Sequence, residues 1–438
     1  MKVCVQGLWH LGSVTAACLA KLGHEVVGLD PDVKAVGNLS RGRAPLFEPG
    51  LDALIVEGIA SGKLSFHSDA SKALNGAQVL WVAFDTPVDD DDQADVVFVQ
   101  TQVQAVLSYL EDGAVVLVSS QMPVGSVRKL EAYARQTFPE KAIGFACSPE
   151  NLRLGKALEV FLKPDRVVVG VREPSHRQLL QELLTPVSTN VEWMSVESAE
   201  MTKHAINAFL AVSVTFANEI ATICEPVGAD AKEVERGLKT DVRIGSRAYV
   251  SPGGPFAGGT LARDVAFLGT ESAAHQLITP LLAAVRYSND EHKNWVRRKL
   301  MQECGSLVGV TVAIWGLTYK AGTDTLRRSS AVELCDWLLA HGAKVRVCDP
   351  VVQQIPERWQ GVVKHCKDAT EAVTGARALV IGTDWPQFLQ PASELGLSGQ
   401  PDFIVIDANR HLKEHERALT HARIKYFAVG TPAEVERL

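Results

Sequence analysis

The sequence predicts two α/β domains, each a parallel sheet covered by helices on both faces, flanking one long central helix. Three observations carry this. β-like and helix-like segments alternate through the first half of the chain, with apolar runs at Val79 to Phe84, Val115 to Ser119, Ile143 to Cys147 and Val167 to Val169. A single helical pattern then runs from Val196 to Cys224. The opening plan also returns near the C-terminus, because Gly23 to Asp30-Pro31 and Gly342 to Asp349-Pro350 have equal spacing and each brackets a β-run. The implied domains are residues 1–195, 196–300 and 301–438.

Composition narrows the class of protein. With 438 residues, 46% hydrophobic and 22% charged, the chain can build two or three ordinary cores. A net charge of −7 argues against nucleic acid as a partner, since phosphate binding calls for a basic face. The eight cysteines form no C-x-x-C pair and read as reduced core residues of a cytoplasmic protein. Gln6, His10 and Lys21 interrupt the apolar N-terminus, so it reads as strand, turn and helix rather than as a signal peptide. No segment is expected to span a membrane.

The first element is VCVQGLWHLGSVTAACLAKLGHEVVGLDP. It is a strand, a glycine turn, an amphipathic helix and a second strand ending in Asp30, the order of a dinucleotide-binding unit. Gly7 makes the tight turn, and Gly12 lets helix and strand approach. Asp30 falls where a ribose hydroxyl needs an acceptor, which favours NAD, and a phosphate is expected on the amides around Leu11 to Ser13. Trp9 stands where a third glycine belongs.

Beyond the sheet, Asp89 to Asp92 read as a solvated loop tip, and no metal is expected. In the central helix, Lys203 and Asn207 are one turn apart, so a cation and an amide can reach the same small-molecule atom. The same residues also fit a snorkelling lysine beside a capping amide.

Four loops at strand ends are more specific. They are Pro45-Leu46-Phe47-Glu48-Pro49-Gly50-Leu51; Thr86-Pro87 with Ala94-Asp95; Ser120-Gln121-Met122-Pro123-Val124-Gly125; and Pro149-Glu150 through Arg153 and Gly155 to Pro164-Asp165-Arg166-Val167. In order and spacing they resemble the UDP-glucose/GDP-mannose dehydrogenase family. That family oxidises the C6 hydroxymethyl of a nucleotide sugar twice with NAD, through an aldehyde held on a cysteine, to a uronic acid. The resemblance continues through Ala199-Glu200-Met201, Lys203, Asn207 to Ala211 and Asn218-Glu219 of the central helix, which in the family lies in a small all-α dimerisation domain and packs against its twin. It extends to Gly316 through Lys320, Thr323-Asp324, Arg327, Ser329, Thr383-Asp384-Trp385 and Asn409-Arg410, in the region where the family holds the sugar nucleotide.

By resemblance, the cofactor residues are Gly7, Leu11, Gly12, Asp30, Thr86, Ser120 and Arg327. The substrate residues are Arg153, Arg243, Phe256, Gly258 and Lys320, with Arg243 reaching the neighbouring subunit's substrate. The catalytic set is Lys203, Asn207, Asp264, Glu150 and position 260. Lys203 accepts the proton, Asn207 donates to the oxyanion, Asp264 orients the centre and Glu150 serves the hydrolytic water.

The segment Pro252 to Asp264 aligns without a gap to the family's nucleophile loop, and the cysteine position is Thr260. Pro255 and Ala257 replace glycines, and Gln121 replaces a threonine that supports the hydrolytic water. A hydroxyl is not ionised near neutral pH as a thiol begins to be. The expected activity is therefore NAD-dependent oxidation of a UDP-sugar alcohol that favours the aldehyde. Alternatives are slow passage to the uronic acid through a hydrate, a silent nucleotide-sugar binder, or oxidation of another nucleotide-linked alcohol in a pocket reset by Pro255, Ala257 and Asn151. Cys147, at a strand end, reads as an inert buried thiol rather than a substitute nucleophile.

Overall fold

The computed structural model describes residues 1–87, 94–150, 152–257, 259–392, 403–421 and 424–432. Asp89 to Asp92, Asn151 and Gly258 lie outside them. The chain divides into two compact units, residues 1–206 and 207–438.

The first unit holds an eight-stranded sheet. Its strands are β1 (Lys2–Gln6), β2 (Glu25–Leu29), β3 (Leu64–His67), β4 (Val79–Val82), β5 (Val115–Val118), β6 (Gly144–Cys147), β7 (Val167–Gly170) and β8 (Val191–Met194), in the order β3-β2-β1-β4-β5-β6-β7-β8. β4 and β5 read VLWV and VVLV and are buried throughout, as strands covered on both faces must be. Val79 and Trp81 face one apolar core, and Leu80 and Val82 face the other. The sheet departs from the all-parallel expectation once, since β7 meets β6 antiparallel at Cys147 and Gly170. β7 in turn pairs parallel with β8.

The second unit repeats the plan with six parallel strands: β9 (Thr311–Trp315), β10 (Lys344–Cys348), β11 (Val363–His365), β12 (Ala378–Ile381), β13 (Ile404–Ile406) and β14 (Lys425–Phe427), ordered β11-β10-β9-β12-β13-β14. The echo reaches single bonds. Gly7 (φ +88°) and Gly316 (φ +90°) both turn left-handed after their strands. Leu8 N–H donates to Asp30 and Leu317 N–H donates to Asp349, each at 2.7 Å.

The central helix is Val196–Val227, longer than the apolar pattern alone indicated, and it carries Pro226 in its last turn. Its most apolar 18-residue window has a mean hydropathy of 1.4, so by length and composition it could cross a membrane, against the sequence expectation. Yet Glu200, His204, Asn207 and Asn218 are buried on it and hydrogen-bond to other parts of the protein, as polar groups of a core helix do. The other long helices of the second unit are Thr260–Ala274 and Pro280–Cys304.

Candidate active site

In the first unit the glycine turn is built by close approach. A β-carbon on Gly7 would lie 2.6 Å from the Phe84 ring, and one on Gly12 would lie 1.6 Å from the Gly7 carbonyl oxygen. Only hydrogen fits there. The Asp30 carboxylate accepts from Leu8 N–H at 2.7 Å and Asp32 N–H at 2.9 Å, which fixes it beside the turn. Trp9 projects outward, 53% exposed, immediately before the helix His10–Lys21, and supplies no side-chain cap. His10 donates to Glu48 at 3.0 Å. Glu48 in turn accepts from Gly155 and Ala157 N–H. Burial pushes the Glu48 carboxyl up, but these three donors outweigh it and leave its pKa below the usual range.

Two of the amides expected to hold phosphate have partners within the protein. Leu11 N–H donates to the Asp85 carboxylate at 3.1 Å, and Ser13 N–H closes the first helical bond to Trp9 at 3.0 Å.

A second cluster lies at the ends of β5 and β6. Ser120, Glu150 and Lys203 line one pocket with Gln121, Cys147 and His204. Lys203 donates to the Glu150 carbonyl oxygen at 2.8 Å, and the Glu150 carboxylate accepts from Leu152 N–H. Thr86 donates to the Gln121 carbonyl oxygen at 2.7 Å. His204 donates to the Met122 carbonyl oxygen at 3.0 Å, and Glu200 accepts from Gly125 at 2.7 Å and Val127 at 3.0 Å. The central helix therefore holds residues 122–127 at three backbone positions, Met122, Gly125 and Val127. Burial lifts the Glu200 carboxyl above the usual range, and the two amides only partly offset it. Burial also pushes the Cys147 thiol well up, with Glu200 adding to it, so this cysteine is a poor nucleophile. Arg153 is exposed and away from this pocket's lining.

In the second unit Thr260 is the first residue of the helix Thr260–Ala274, and Gly259 ahead of it has φ +104°. Four side chains tie the preceding loop. Asn218 accepts from Gly253 N–H at 3.0 Å, His292 donates to the Gly253 carbonyl oxygen at 2.8 Å, and Asn409 accepts from Gly254 N–H at 2.7 Å. Asn289 pairs with both backbone groups of Phe256 at 2.9 Å. One turn into the helix, Asp264 is fully buried and accepts from the Asn207 amide. Arg243 is exposed and forks onto Asp241 at 3.0 and 2.7 Å. Lys320 and Arg327 are exposed, with Lys320 5.5 Å from the Tyr319 ring.

Residues 1–188 match the NAD binding domain of the UDP-glucose/GDP-mannose dehydrogenase family, residues 197–291 its central domain, and residues 313–414 its UDP binding domain. The chain belongs to this family. It is 32% identical over 439 residues to a UDP-glucose 6-dehydrogenase of Rhizobium meliloti, covering 99% of this chain and 100% of the relative. It is 34% identical over 406 residues to one of Pseudomonas aeruginosa, covering 89% of each. The fold is similar to the solved UDP-glucose dehydrogenase of the hyperthermophilic archaeon Pyrobaculum islandicum, with a TM-score of 0.84, 29% identity, and 99% and 98% of the two chains covered.

Membership makes this an NAD-dependent nucleotide-sugar dehydrogenase acting on a CH–OH group. The residues present fit NAD: the close Gly7–Gly12 approach packs the turn against the helix end as a dinucleotide-binding unit requires, and the buried Ser120 hydroxyl has no hydrogen-bond partner among the described residues. Against the family pattern, sequence reasoning missed Asp85, His204, Asn289 and His292. The spacing of Glu200 with His204, and of Asn289 with His292, was an available signal, because each pair shares a helix face. Asp85 had none.

Proposed function

We propose that this family member oxidises the C6 primary alcohol of a UDP-sugar with NAD and favours the aldehyde. The observation that carries the reading is Thr260 at the start of its helix, where the family has its nucleophilic cysteine. NAD accepts the hydride when bound. Lys203 takes the hydroxyl proton, Asn207 donates to the alkoxide oxygen, and Asp264 fixes the Asn207 amide. Gly7, Leu11, Gly12, Asp30, Thr86, Ser120 and Arg327 serve the cofactor; Arg153, Arg243, Phe256, Gly258 and Lys320 serve the sugar nucleotide. Thr260 has no sulfur with which to form the hemithioacetal that is oxidised to a thioester, and its hydroxyl, which ionises far above neutral pH, is a poor nucleophile toward the aldehyde.

A slower route to the uronic acid is favoured by one feature: Glu150 lines the same pocket as Lys203, where it can deprotonate a hydrated aldehyde. Counting NADH formed per UDP-glucose separates the readings. One equivalent supports the aldehyde, two support the acid, and none with UDP-glucose still bound points to a silent binder.

We also propose a homodimer through the central helix. Phe209, Phe216 and Ile223 recur every seven residues and are 69%, 46% and 58% exposed, a stripe suited to a twin helix. Sedimentation should show a dimer that Phe216→Glu dissociates.

A further inference from the structure

We infer that Asp85 sets the affinity for NAD, because its carboxylate occupies the seat that the cofactor's diphosphate must take. The first-turn amides of His10–Lys21 are the positive end of a helix, and Trp9 offers no oxygen to cap them. Asp85 caps them from outside, accepting from Leu11 N–H at 3.1 Å. Its backbone is held on both sides. Phe84 packs so closely on the turn that a β-carbon on Gly7 would lie 2.9 Å from the Phe84 α-carbon. Thr86 is buried and tied to the Gln121 carbonyl oxygen at 2.7 Å. The carboxylate is thus presented to the helix end by a fixed strand terminus, and only side-chain rotation can withdraw it.

Binding a diphosphate at Leu11 therefore requires Asp85 to give up a charge-assisted hydrogen bond and to remain near an incoming like charge. A second acid, Asp30, already sits on the same turn at Leu8 N–H. Like-charge repulsion at Asp85 acts on the diphosphate, the charged part of the cofactor, and not on a neutral nucleoside.

Calorimetric titration of the full chain with NAD, without sugar, tests this independently of whether aldehyde or acid is the product. Asp85→Asn removes the charge and keeps an oxygen for Leu11, and Asp85→Ser does the same with a shorter side chain. Both are expected to bind NAD about tenfold more tightly at low salt. Added salt should narrow the gap by screening the native repulsion. Adenosine, which has no phosphate, should bind the native and substituted chains alike. An NAD affinity that is unchanged or weaker in both variants, or an equal gain for adenosine, overturns the proposal.

Discussion

A β-carbon on Gly12 would stand 1.6 Å from the carbonyl oxygen of Gly7. Gly12→Ala must therefore push the helix His10–Lys21 away from the turn, at a cost of about 1–3 kcal/mol as for other overpacked sites. NAD binding should fall by at least tenfold in calorimetry, whereas UDP binding, which depends on the second unit, should be unchanged. An alanine variant with native NAD affinity would contradict the close approach.

Asn207 and Asp264 form a buried pair whose members are 57 residues apart. Asn207→Leu leaves the Asp264 carboxyl without this donor and should destabilise the protein by about 1–3 kcal/mol, read as a lowered thermal midpoint. Asn207→Asp should be worse, because two carboxyls then meet in a dry site. Turnover should drop in both, while NAD affinity stays native.

The parts legible in the sequence are those with local causes. The two glycine turns, their acids and the alternating strands follow from spacing, and the structure returns both halves with the same core strand order. Helix periodicity puts Lys203 and Asn207 one turn apart, where Lys203 bonds to the Glu150 carbonyl oxygen and Asn207 to Asp264. What escaped were contacts between distant segments: Leu11 with Asp85, Gly253 with His292, and Met122 with His204, separated by 74, 39 and 82 residues. The antiparallel turn of β7 escaped for the same reason, since a strand's direction depends on the neighbour it finds. The central helix ran past its apolar pattern because proline in a last turn removes one hydrogen bond without ending the helix.

Thr260 begins a helix, and a cysteine there would sit at its positive end, where a thiolate is stabilised. Thr260→Cys should raise the NADH yield from one toward two per UDP-glucose, make turnover sensitive to iodoacetamide, and allow a substrate acyl adduct to be trapped for mass spectrometry. If the product ratio does not move and no adduct forms, position 260 is not the reacting position of this loop.

His292 gives the loop before Thr260 a dependence on pH. Its Nε2 donates to the Gly253 carbonyl oxygen at 2.8 Å, and burial, with Arg298 adding to it, lowers its pKa below the ordinary value of about 6.5. The unfolded chain therefore takes up this proton more readily than the folded one, so stability is full above about pH 6.5 and is lost as pH falls below it. His292→Gln keeps a donor for Gly253 but cannot titrate. The thermal midpoint of the native chain should fall between pH 6.5 and 5, and the glutamine variant should lose less over the same interval. Parallel curves for the two proteins would assign the acid sensitivity to another group.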